Sequence, residues 1–310
     1  MDVSQPASRP YSVFLDRSAQ PFTTRRMTPI RHTFHQHPLM QLERLEQLAR
    51  SLAATRQCRF TKPGLTVSSE FSHKPESPDG RSLEQVFREI ERPGSWVALY
   101  DVQTDPVYRD FLAEVMQTVR HAVEPQESIH DIRGFIFISS PPSATPFHID
   151  RENNFWLQIR GRKSLTVWDR EDREVVPSPD VESFIVYRSL ENVVLKNDFL
   201  ARGKRFDCGP GDGVYFPSTS PHMTSTEPVP EGGDPVSISI GINFYTNVTR
   251  HNAYVHAANG VLRKFGMTPQ PPEKRPSVDK LKYPLGRAVI EWRKRVRGYV
   301  PTPSFDLSSR

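Results

Sequence analysis

The stretch that decides the fold is Asn154-Phe155-Trp156-Leu157-Gln158-Ile159-Arg160-Gly161-Arg162-Lys163-Ser164-Leu165-Thr166-Val167-Trp168. From 154 to 159 every odd position is apolar, whereas two of the even positions carry amide side chains. Such alternation is the period-two pattern of a strand with two different faces. Gly161 marks a turn, and Lys163 begins a return strand. The stretch therefore predicts a strand with one face in a core and the other on a polar pocket, followed by a return strand.

Candidate metal ligands lie before and after these two predicted strands in the sequence. His148 and Asp150 precede it, and His222 follows a second strand-like segment much later in the chain. Residues two apart on a strand point to the same side, so the third ligand is expected from a neighbouring strand. Two histidines and one carboxylate are the facial triad of non-haem Fe(II) oxygenases. The pattern predicts a metal site that leaves positions open for other ligands.

Later segments repeat the strand pattern. A Gly/Pro/Asp turn at 209–213 leads into an apolar run at 214–217, and a longer alternating run follows at 236–245. One face of the longer run is aliphatic. Its other face carries Ser237, Ser239, Gly241 and Asn243. This second face is small and polar enough to line a cavity.

The complete pattern resembles a known family. It comprises Thr145-Pro146-Phe147-His148-x-Asp150, Asn154, Gln158, Gly161 and Lys163, then Gly211-Asp212, Pro217, His222 and Asn243. It is similar to the JmjC/cupin-like (cupin-8 type) 2-oxoglutarate dioxygenases, and among them to the asparaginyl hydroxylase that acts on hypoxia-inducible factor. The resemblance covers about residues 95–247 and is specific between 133 and 168. The whole chain looks more like bacterial cupin-like proteins of unassigned function.

The resemblance implies the metal and the co-substrate. His148, Asp150 and His222 would bind Fe(II). Lys163 would pair with the distal carboxylate of 2-oxoglutarate, and Thr145 would hydrogen-bond to the same carboxylate. A lysine suits this role because it is a compact positive charge in a partly dry pocket.

The resemblance also implies further contacts within the pocket. Asn154 and Asn243 would flank the co-substrate and the open positions of the metal, and Trp156 would be an aromatic neighbour of the co-substrate. Gln158 would line the pocket or meet the substrate. A tyrosine that holds 2-oxoglutarate in the relative has no clear counterpart, and Tyr100 would substitute for it.

The expected fold is mainly β with flanking helices (α+β), built around a double-stranded β-helix, the jelly-roll cupin or JmjC-like barrel. The resemblance places the metal ligands at one mouth of this barrel. It divides the chain into an N-terminal arm and helical region (1–94), a catalytic core (95–248) and a C-terminal helical region (249–310). The C-terminal helical segments resemble the dimerising helices of related hydroxylases, which favours a homodimer.

Helix and turn signals predict the elements around the barrel. Proline is favoured at the first position of a helix, and serine is favoured as its N-cap. The predicted elements are a helix from Pro38, a helix from Leu83 to Ile90 capped by Ser82, a strand from Trp96 to Val102, a helix from Pro106 to Val123, an irregular insert at 170–206, a helix from Thr249 to Phe265 and a last helix near 283–297.

A second group of histidines lies near the N-terminus. His32, His35 and His37 are close together in the sequence and raise the question of another metal site. No carboxylate or cysteine nearby in the sequence completes a ligand set. We therefore interpret them as solvated residues that lead into the helix from Pro38.

The activity implied by the resemblance is Fe(II)/2-oxoglutarate-dependent oxygenation, with hydroxylation as the default outcome. A peptide or protein side chain is the first choice of substrate, and a free amino acid or natural-product intermediate is the second. The competing class is a cupin-fold binding or regulatory protein without catalysis. The complete triad together with Lys163 favours the enzyme, because a binding protein has no need of all four residues.

Composition limits the partners. The net charge is +5, and much of it comes from the basic stretch at 291–297, which we interpret as a solvated helix face. We expect no nucleic-acid partner, and the basic balance favours an acidic substrate or partner. Cys58 and Cys208 do not suggest a disulfide framework. Without a signal-peptide pattern or a bilayer-length apolar run, we expect a cytoplasmic protein with no membrane partner.

Overall fold

Two antiparallel sheets form the centre of the fold in this computed structural model, which describes residues 10–15, 21–60, 81–226, 229 and 231–297. The strands are β1 (Val13–Leu15), β2 (Thr28–His32), β3 (Cys58–Phe60), β4 (Trp96–Leu99), β5 (Ile129–Ser139), β6 (Ser143–His148), β7 (Asn153–Arg160), β8 (Lys163–Val167), β9 (Lys204–Cys208), β10 (Asp212–Phe216), β11 (His222–Thr226) and β12 (Ser237–Thr246). The predicted strand and its return strand correspond to β7 and β8, which follow each other in the chain but belong to different sheets.

The larger sheet has the order β1-β2-β10-β7-β12-β5-β4-β3, and the smaller has the order β6-β11-β8-β9. Strands adjacent in a sheet come from distant parts of the chain, as in β10 beside β7 and β11 beside β6. This is the predicted jelly-roll barrel, mainly β with flanking helices. Strands β1 to β3 come from the region before residue 95, so that region extends the larger sheet of the core.

The larger sheet presents different faces to a core and to a cavity. On β12 and β5 the residues Ile240, Ile242, Ile136 and Ile138 are buried in the main apolar cluster. That cluster also contains buried residues of α1 (Leu42–Ala54), α2 (Leu83–Arg88) and α3 (Pro106–Val123). The N-terminal helices therefore cover one face of the sheet, and the opposite face is left for the interior of the barrel.

Two predicted helix starts are confirmed by their caps. The Ser82 hydroxyl accepts a hydrogen bond from the Gln85 amide, and the Gln85 side chain accepts one from the Ser82 amide, which completes a capping box. The Asp105 carboxylate accepts hydrogen bonds from the amides of Val107 and Tyr108 at the start of α3. These acceptors satisfy amides that have no partner within the helix.

The boundaries differ in the N-terminal half. A 3-10 turn, Pro38–Met40, precedes α1, which begins only at Leu42. Strand β4 ends at Leu99 rather than at the predicted Val102, because Asp101 has a left-handed φ of 51° and starts a 3-10 turn at Val102–Thr104. Extended backbone cannot continue through such a residue. Parts of the predicted arm and of the segment 55–80 lie outside the described residues.

The prediction of an irregular insert at 170–206 was wrong. The insert contains α4 (Ser178–Tyr187) and a 3-10 helix at Asn197–Arg202. The apolar side of α4 packs into a buried cluster through Val181 and Phe184, beside Trp168. Pro177 is the N-cap of α4 and Pro179 lies in its first turn, where proline is tolerated.

Two helices close the C-terminal part of the described chain. Helix α5 (Asn247–Lys264) follows β12 directly, and α6 (Pro276–Arg297) begins earlier than the predicted 283, with Pro284 inside it. The helices cross closely at Gly286, where a Cβ would lie 1.7 Å from the Tyr254 carbonyl oxygen. In the described part of the chain, each helix is too short or too polar to cross a membrane.

Candidate metal centre and its cavity

Strand pairing brings the three predicted ligands together. In the register of β6 and β11, His148 lies opposite His222. Asp150 follows β6 by two residues, and its carbonyl oxygen accepts a hydrogen bond of 2.8 Å from the Thr219 amide. The backbone of the loop before β11 is thereby fixed to the segment that carries the carboxylate.

The ligand atoms of His148, Asp150 and His222 all lie within 4.8 Å of one another, and all three side chains are buried. Nε2 of His148 is 4.0 Å from Oδ1 of Asp150, and Nε2 of His222 is 3.6 Å from Oδ2 of the same carboxylate. Among the described residues, this is the group of His, Cys, Asp and Glu side chains that could hold a metal ion. The predicted triad therefore exists as a three-dimensional cluster.

Hydrogen bonds fix which nitrogen each imidazole offers. Nδ1 of His148 lies 2.8 Å from the Pro146 carbonyl oxygen, and Nδ1 of His222 lies 3.0 Å from the Ser220 carbonyl oxygen. A carbonyl oxygen can only accept, so each Nδ1 carries the proton and each Nε2 keeps its lone pair toward Asp150. Burial lowers the pKa of His222, although Asp150 opposes the shift. A neutral imidazole held in one tautomer is the form that binds a metal.

A cavity of about 30 Å³ lies between the two sheets at this cluster. It brings together nearly all the predicted site residues, with additional ones from β5, β11 and β12. Its lining residues are Phe135, Phe137, Thr145, His148, Asp150, Asn154, Trp156, Lys163, His222, Thr224, Ser239, Gly241 and Asn243. The cavity is therefore polar around the metal ligands and aromatic along β5.

Lys163 is the positive charge of this cavity. It is the first residue of β8, and its side chain is 5% exposed. Its ammonium group has no hydrogen bond or ion pair with any residue in the described ranges. Burial lowers its pKa to about 8, because a charged ammonium loses its hydration there. An uncompensated buried cation is costly, so a carboxylate bound beside it would be strongly favoured.

Polar atoms without hydrogen-bond partners lie on the wall of the cavity that β7 and β12 form. Asn154 and Asn243 are register partners on β7 and β12, and the Oδ1 atom of each is buried without a partner among the described residues. The Ser239 hydroxyl is also buried without a hydrogen-bond partner among the described residues. A Cβ on Gly241 would lie 3.4 Å from the side chains of both asparagines. Buried polar atoms are normally satisfied, so this wall fits a polar ligand.

Tyr100 lies outside the cavity lining, one layer behind it. Its ring packs edge-on against Phe135 and Phe137, at 5.9 Å and 6.3 Å between centroids. The Arg59 guanidinium lies 5.3 Å from the same ring. Burial raises the pKa of Tyr100 to about 12, so its hydroxyl stays protonated. Tyr100 supports the aromatic wall, and its predicted contact with the co-substrate stays a prediction.

Gln158 lies outside the lining as well. Its side-chain amide donates hydrogen bonds to the carbonyl oxygens of Arg160 and Gly161 and to the Ser237 hydroxyl. These bonds hold the turn in which Gly161 has a φ of +62° and a Cβ would lie 2.2 Å from the Val236 carbonyl oxygen. Gln158 therefore holds the turn that leads into β8, and its contact with a substrate stays a prediction.

Sequence reasoning missed three lining residues. Phe135 and Phe137 alternate with isoleucines on β5, which is the same signal that identified the cavity face of β12. Thr224 lies two residues after His222 and therefore on the same side of β11. The signal was present in each case, but the segments lay outside the motif.

A second carboxyl group lies next to the metal ligands. Glu152 is fully buried, two residues after Asp150. Burial, followed by the negative charge of Asp150, raises the pKa of Glu152 to about 7. Protonation of Glu152 therefore occurs at a higher pH than for an ordinary glutamate and reduces the negative charge next to Asp150.

Comparisons with known proteins gave structural matches only. No model of a protein family matches the chain, and no curated protein matches it. The structure of Escherichia coli ycfD matches with a TM-score of 0.46 and 16% identity, and covers 88% of this chain and 66% of that one. YcfD, described as a ribosomal oxygenase, matches in complex with cobalt and 2-oxoglutarate with a TM-score of 0.44 and 16% identity, over 89% and 65%. This chain thus spans slightly less than two thirds of the length of these structures.

Proposed function

We propose that this chain is an Fe(II)/2-oxoglutarate-dependent dioxygenase that hydroxylates a peptide or protein side chain. The observation that carries the proposal is the meeting of the His148, Asp150 and His222 triad with the buried Lys163 in one cavity. The triad supplies the ligand set of a non-haem iron oxygenase. Lys163 supplies the one charge that a dicarboxylate requires beside the metal.

The residues of the cavity fit both Fe(II) and 2-oxoglutarate. Bound Fe(II) would activate O₂ as the oxidant, so that substrate, 2-oxoglutarate and O₂ would give hydroxylated substrate, succinate and CO₂, with one oxygen atom of O₂ in each of the first two products. Lys163 and the Thr145 hydroxyl would hold the distal carboxylate, one by charge and one by hydrogen bonding. The unpartnered oxygens of Asn154 and Asn243 would accept hydrogen bonds from bound water or substrate.

The remaining wall excludes water and orients what is bound. Phe135, Phe137 and Trp156 bring apolar surface to the cavity opposite the metal ligands. A water-excluding wall strengthens the electrostatic contact of Lys163 and protects reactive species from side reactions. The Nδ1–H groups of His148 and His222, bonded to main-chain oxygens, keep both rings in place.

The test is production of succinate from 2-oxoglutarate, with and without Fe(II). We expect turnover that requires iron and is lost in His222→Ala and strongly reduced in Lys163→Ala. Lys204→Ala is the matched control, because Lys204 is an exposed lysine on the neighbouring strand β9. Iron binding without turnover in the presence of every candidate substrate would favour the binding or regulatory protein instead.

The polypeptide substrate is the finer part of the proposal. It rests on the family resemblance and on the long insert at 170–206, which a small-molecule enzyme would not obviously need. The net charge of +5 favours an acidic sequence, so binding should weaken with salt. Incubating the loaded enzyme with host lysate should produce proteins heavier by one oxygen. Oxidation of free amino acids or metabolites alone would reject the polypeptide and leave the dioxygenase in place.

A homodimer through the C-terminal helices is supported by an exposed apolar stripe. On α6, Leu281 is 77% exposed and Trp292 is 60% exposed, with Leu285 and Val296 on the same side. An apolar stripe of this kind is typical of an interaction surface. Light scattering should give the mass of a dimer for the full chain and of a monomer for Trp292→Glu. Arg287→Glu, on the opposite side of α6, is the control and should remain dimeric.

A further inference from the structure

A second cavity, of about 40 Å³, lies apart from the metal centre. It is lined by the insert, by the loop before β11, by α5 and by the segment 271–274 between α5 and α6. Its lining includes Arg170 and Arg173 from the insert, Ser218 and Thr219 from the loop, and His256 from α5. A cavity of this size exceeds the space that one water molecule requires.

Most charges around this cavity are paired. Arg170 forms an ion pair of 2.5 Å with Glu273, and Lys274 forms one of 2.5 Å with Glu171. Arg173 differs, since it has no hydrogen bond or ion pair with any residue of the described ranges. Burial, followed by the positive charge of Arg170, lowers the pKa of Arg173 to about 10. A guanidinium offers five donors, so an acceptor beside Arg173 is expected.

His256 lies in the same positive environment. It is 5% exposed, and its Nδ1 atom is buried without a partner among the residues that the structure describes. Its pKa is well below the usual value, first because of burial and then because of Arg173 and Arg170. The imidazole is therefore neutral, and its ring lines a cavity where the surrounding field favours negative charge.

The loop side of the cavity adds polar atoms and reaches the metal centre. Thr219 has a left-handed φ of 63°, which is uncommon for a β-branched residue. Its amide donates to the Asp150 carbonyl oxygen on one side, while Thr219 lines the second cavity on the other. The second cavity is thus one loop away from the carboxylate of the triad.

We propose that this second cavity binds a small oxyanion, a phosphate or carboxylate group, between Arg173 and His256. The Arg173 guanidinium would donate parallel hydrogen bonds to two of its oxygens, and the His256 imidazole would donate a third. The Thr219 hydroxyl lies on the same cavity for a further contact. The bound anion would supply the hydrogen-bond acceptor that Nε of Arg173 lacks among the described residues.

Thermal unfolding of the full chain without metal tests the site. Inorganic phosphate, compared with sodium chloride at the same ionic strength, should raise the Tm of the native protein by a few degrees. Phosphate should not raise the Tm of Arg173→Met, because this variant lacks the guanidinium that would bind the anion. Arg109→Met, an exposed arginine on α3, is the control and should respond like the native protein.

Two further arms complete the test. Sodium acetate in place of phosphate distinguishes a carboxylate site from a phosphate site. His256→Gln leaves Arg173 in place and should reduce the response. An unchanged Tm of the native protein in both anions, or equal responses of the native protein and Arg173→Met, would overturn the site. Because the assay needs neither iron nor turnover, either result leaves the proposed function untouched.

Discussion

Two groups of histidines in this chain reach opposite outcomes. His32, His35 and His37 lie within six residues of one another, whereas His148 and His222 are far apart in the sequence. The distant pair forms a candidate metal centre with Asp150, and the close group does not. Strand pairing, rather than nearness in the sequence, brings the ligand atoms together.

The use of ring nitrogens explains the difference. In the N-terminal group, Nε2 of His32 donates to the Asp212 carbonyl oxygen, and Nδ1 of His37 accepts from the Leu39 amide. The interpretation of His32 as solvated was wrong, because this residue is buried and burial lowers its pKa to about 4. The carboxylate nearest to His37 is that of Glu114, at 3.6 Å. One nitrogen of each of these two rings is therefore used in a hydrogen bond to the backbone. In the metal centre both Nε2 atoms lie close to one carboxylate.

Removal of the Asp150 carboxylate should have the largest effect on the difference in metal binding between the two histidine groups. Asp150→Ala should weaken Fe(II) binding by more than about a hundredfold, because even the partners of metal ligands are worth about 10- to 100-fold. Anaerobic titration of Fe(II) measures the affinity, and circular dichroism checks that the barrel remains folded. Unchanged affinity in a folded Asp150→Ala protein would refute the triad.

The charge of the cavity should give the next largest effect. Lys163→Ala should weaken 2-oxoglutarate binding by roughly ten- to a hundredfold, because a hydrogen bond to a charged group contributes about 1.5–3 kcal/mol. Fe(II) affinity should hardly change. Calorimetric titration of 2-oxoglutarate into the iron-loaded variant measures the loss, and an unaltered dissociation constant rejects the anchor.

The change in 2-oxoglutarate affinity with pH, caused by titration of Lys163, should be smaller than the loss in Lys163→Ala. The pKa of Lys163 in the ligand-free protein is lowered to about 8, so the lysine is charged below that pH and neutral above it. A carboxylate ligand needs the charged form, so 2-oxoglutarate affinity should fall by up to about tenfold per pH unit above 8. Lys163→Arg keeps its charge over this range and should bind with an affinity that does not fall. A parallel decline in both proteins would remove Lys163 as the cause.

The smallest effect should come from the N-terminal group. His35→Ala should leave Fe(II) affinity unchanged within about twofold, since the Nδ1 atom of His35 bonds to the His32 carbonyl oxygen instead of facing a carboxylate. The same anaerobic titration measures it. A loss similar to that of Asp150→Ala would show that both groups take part in metal binding.

The metal centre could be predicted because its residues obey local rules. His148 and Asp150 are two apart at a strand end, and alternation on β7 and β12 predicts which residues face the cavity. The distance between His148 and His222 could not be predicted from their spacing, because it depends on the register of β6 and β11. Family resemblance supplied what local pattern could not.

Other features depend on contacts that no local pattern encodes. Gln158 occupies a polar position of its strand, yet its amide is used by the turn at Gly161. Helix α4 lies in the insert that the sequence predicted to be irregular, and its apolar side is buried through contacts within the insert and with Trp168. The second cavity joins Arg173 and His256 only because α5 packs against the insert, through contacts that α4 provides. Tertiary packing decides each of these cases.

The most direct test of the account is to locate bound iron by anomalous X-ray scattering in crystals of the full chain loaded with Fe(II) without oxygen. We expect one iron site, with Nε2 of His148, Nε2 of His222 and a carboxylate oxygen of Asp150 each about 2 Å from the metal, as for comparable protein ligands. Strong scattering at the N-terminal histidines, or none among the three ligands, would contradict it.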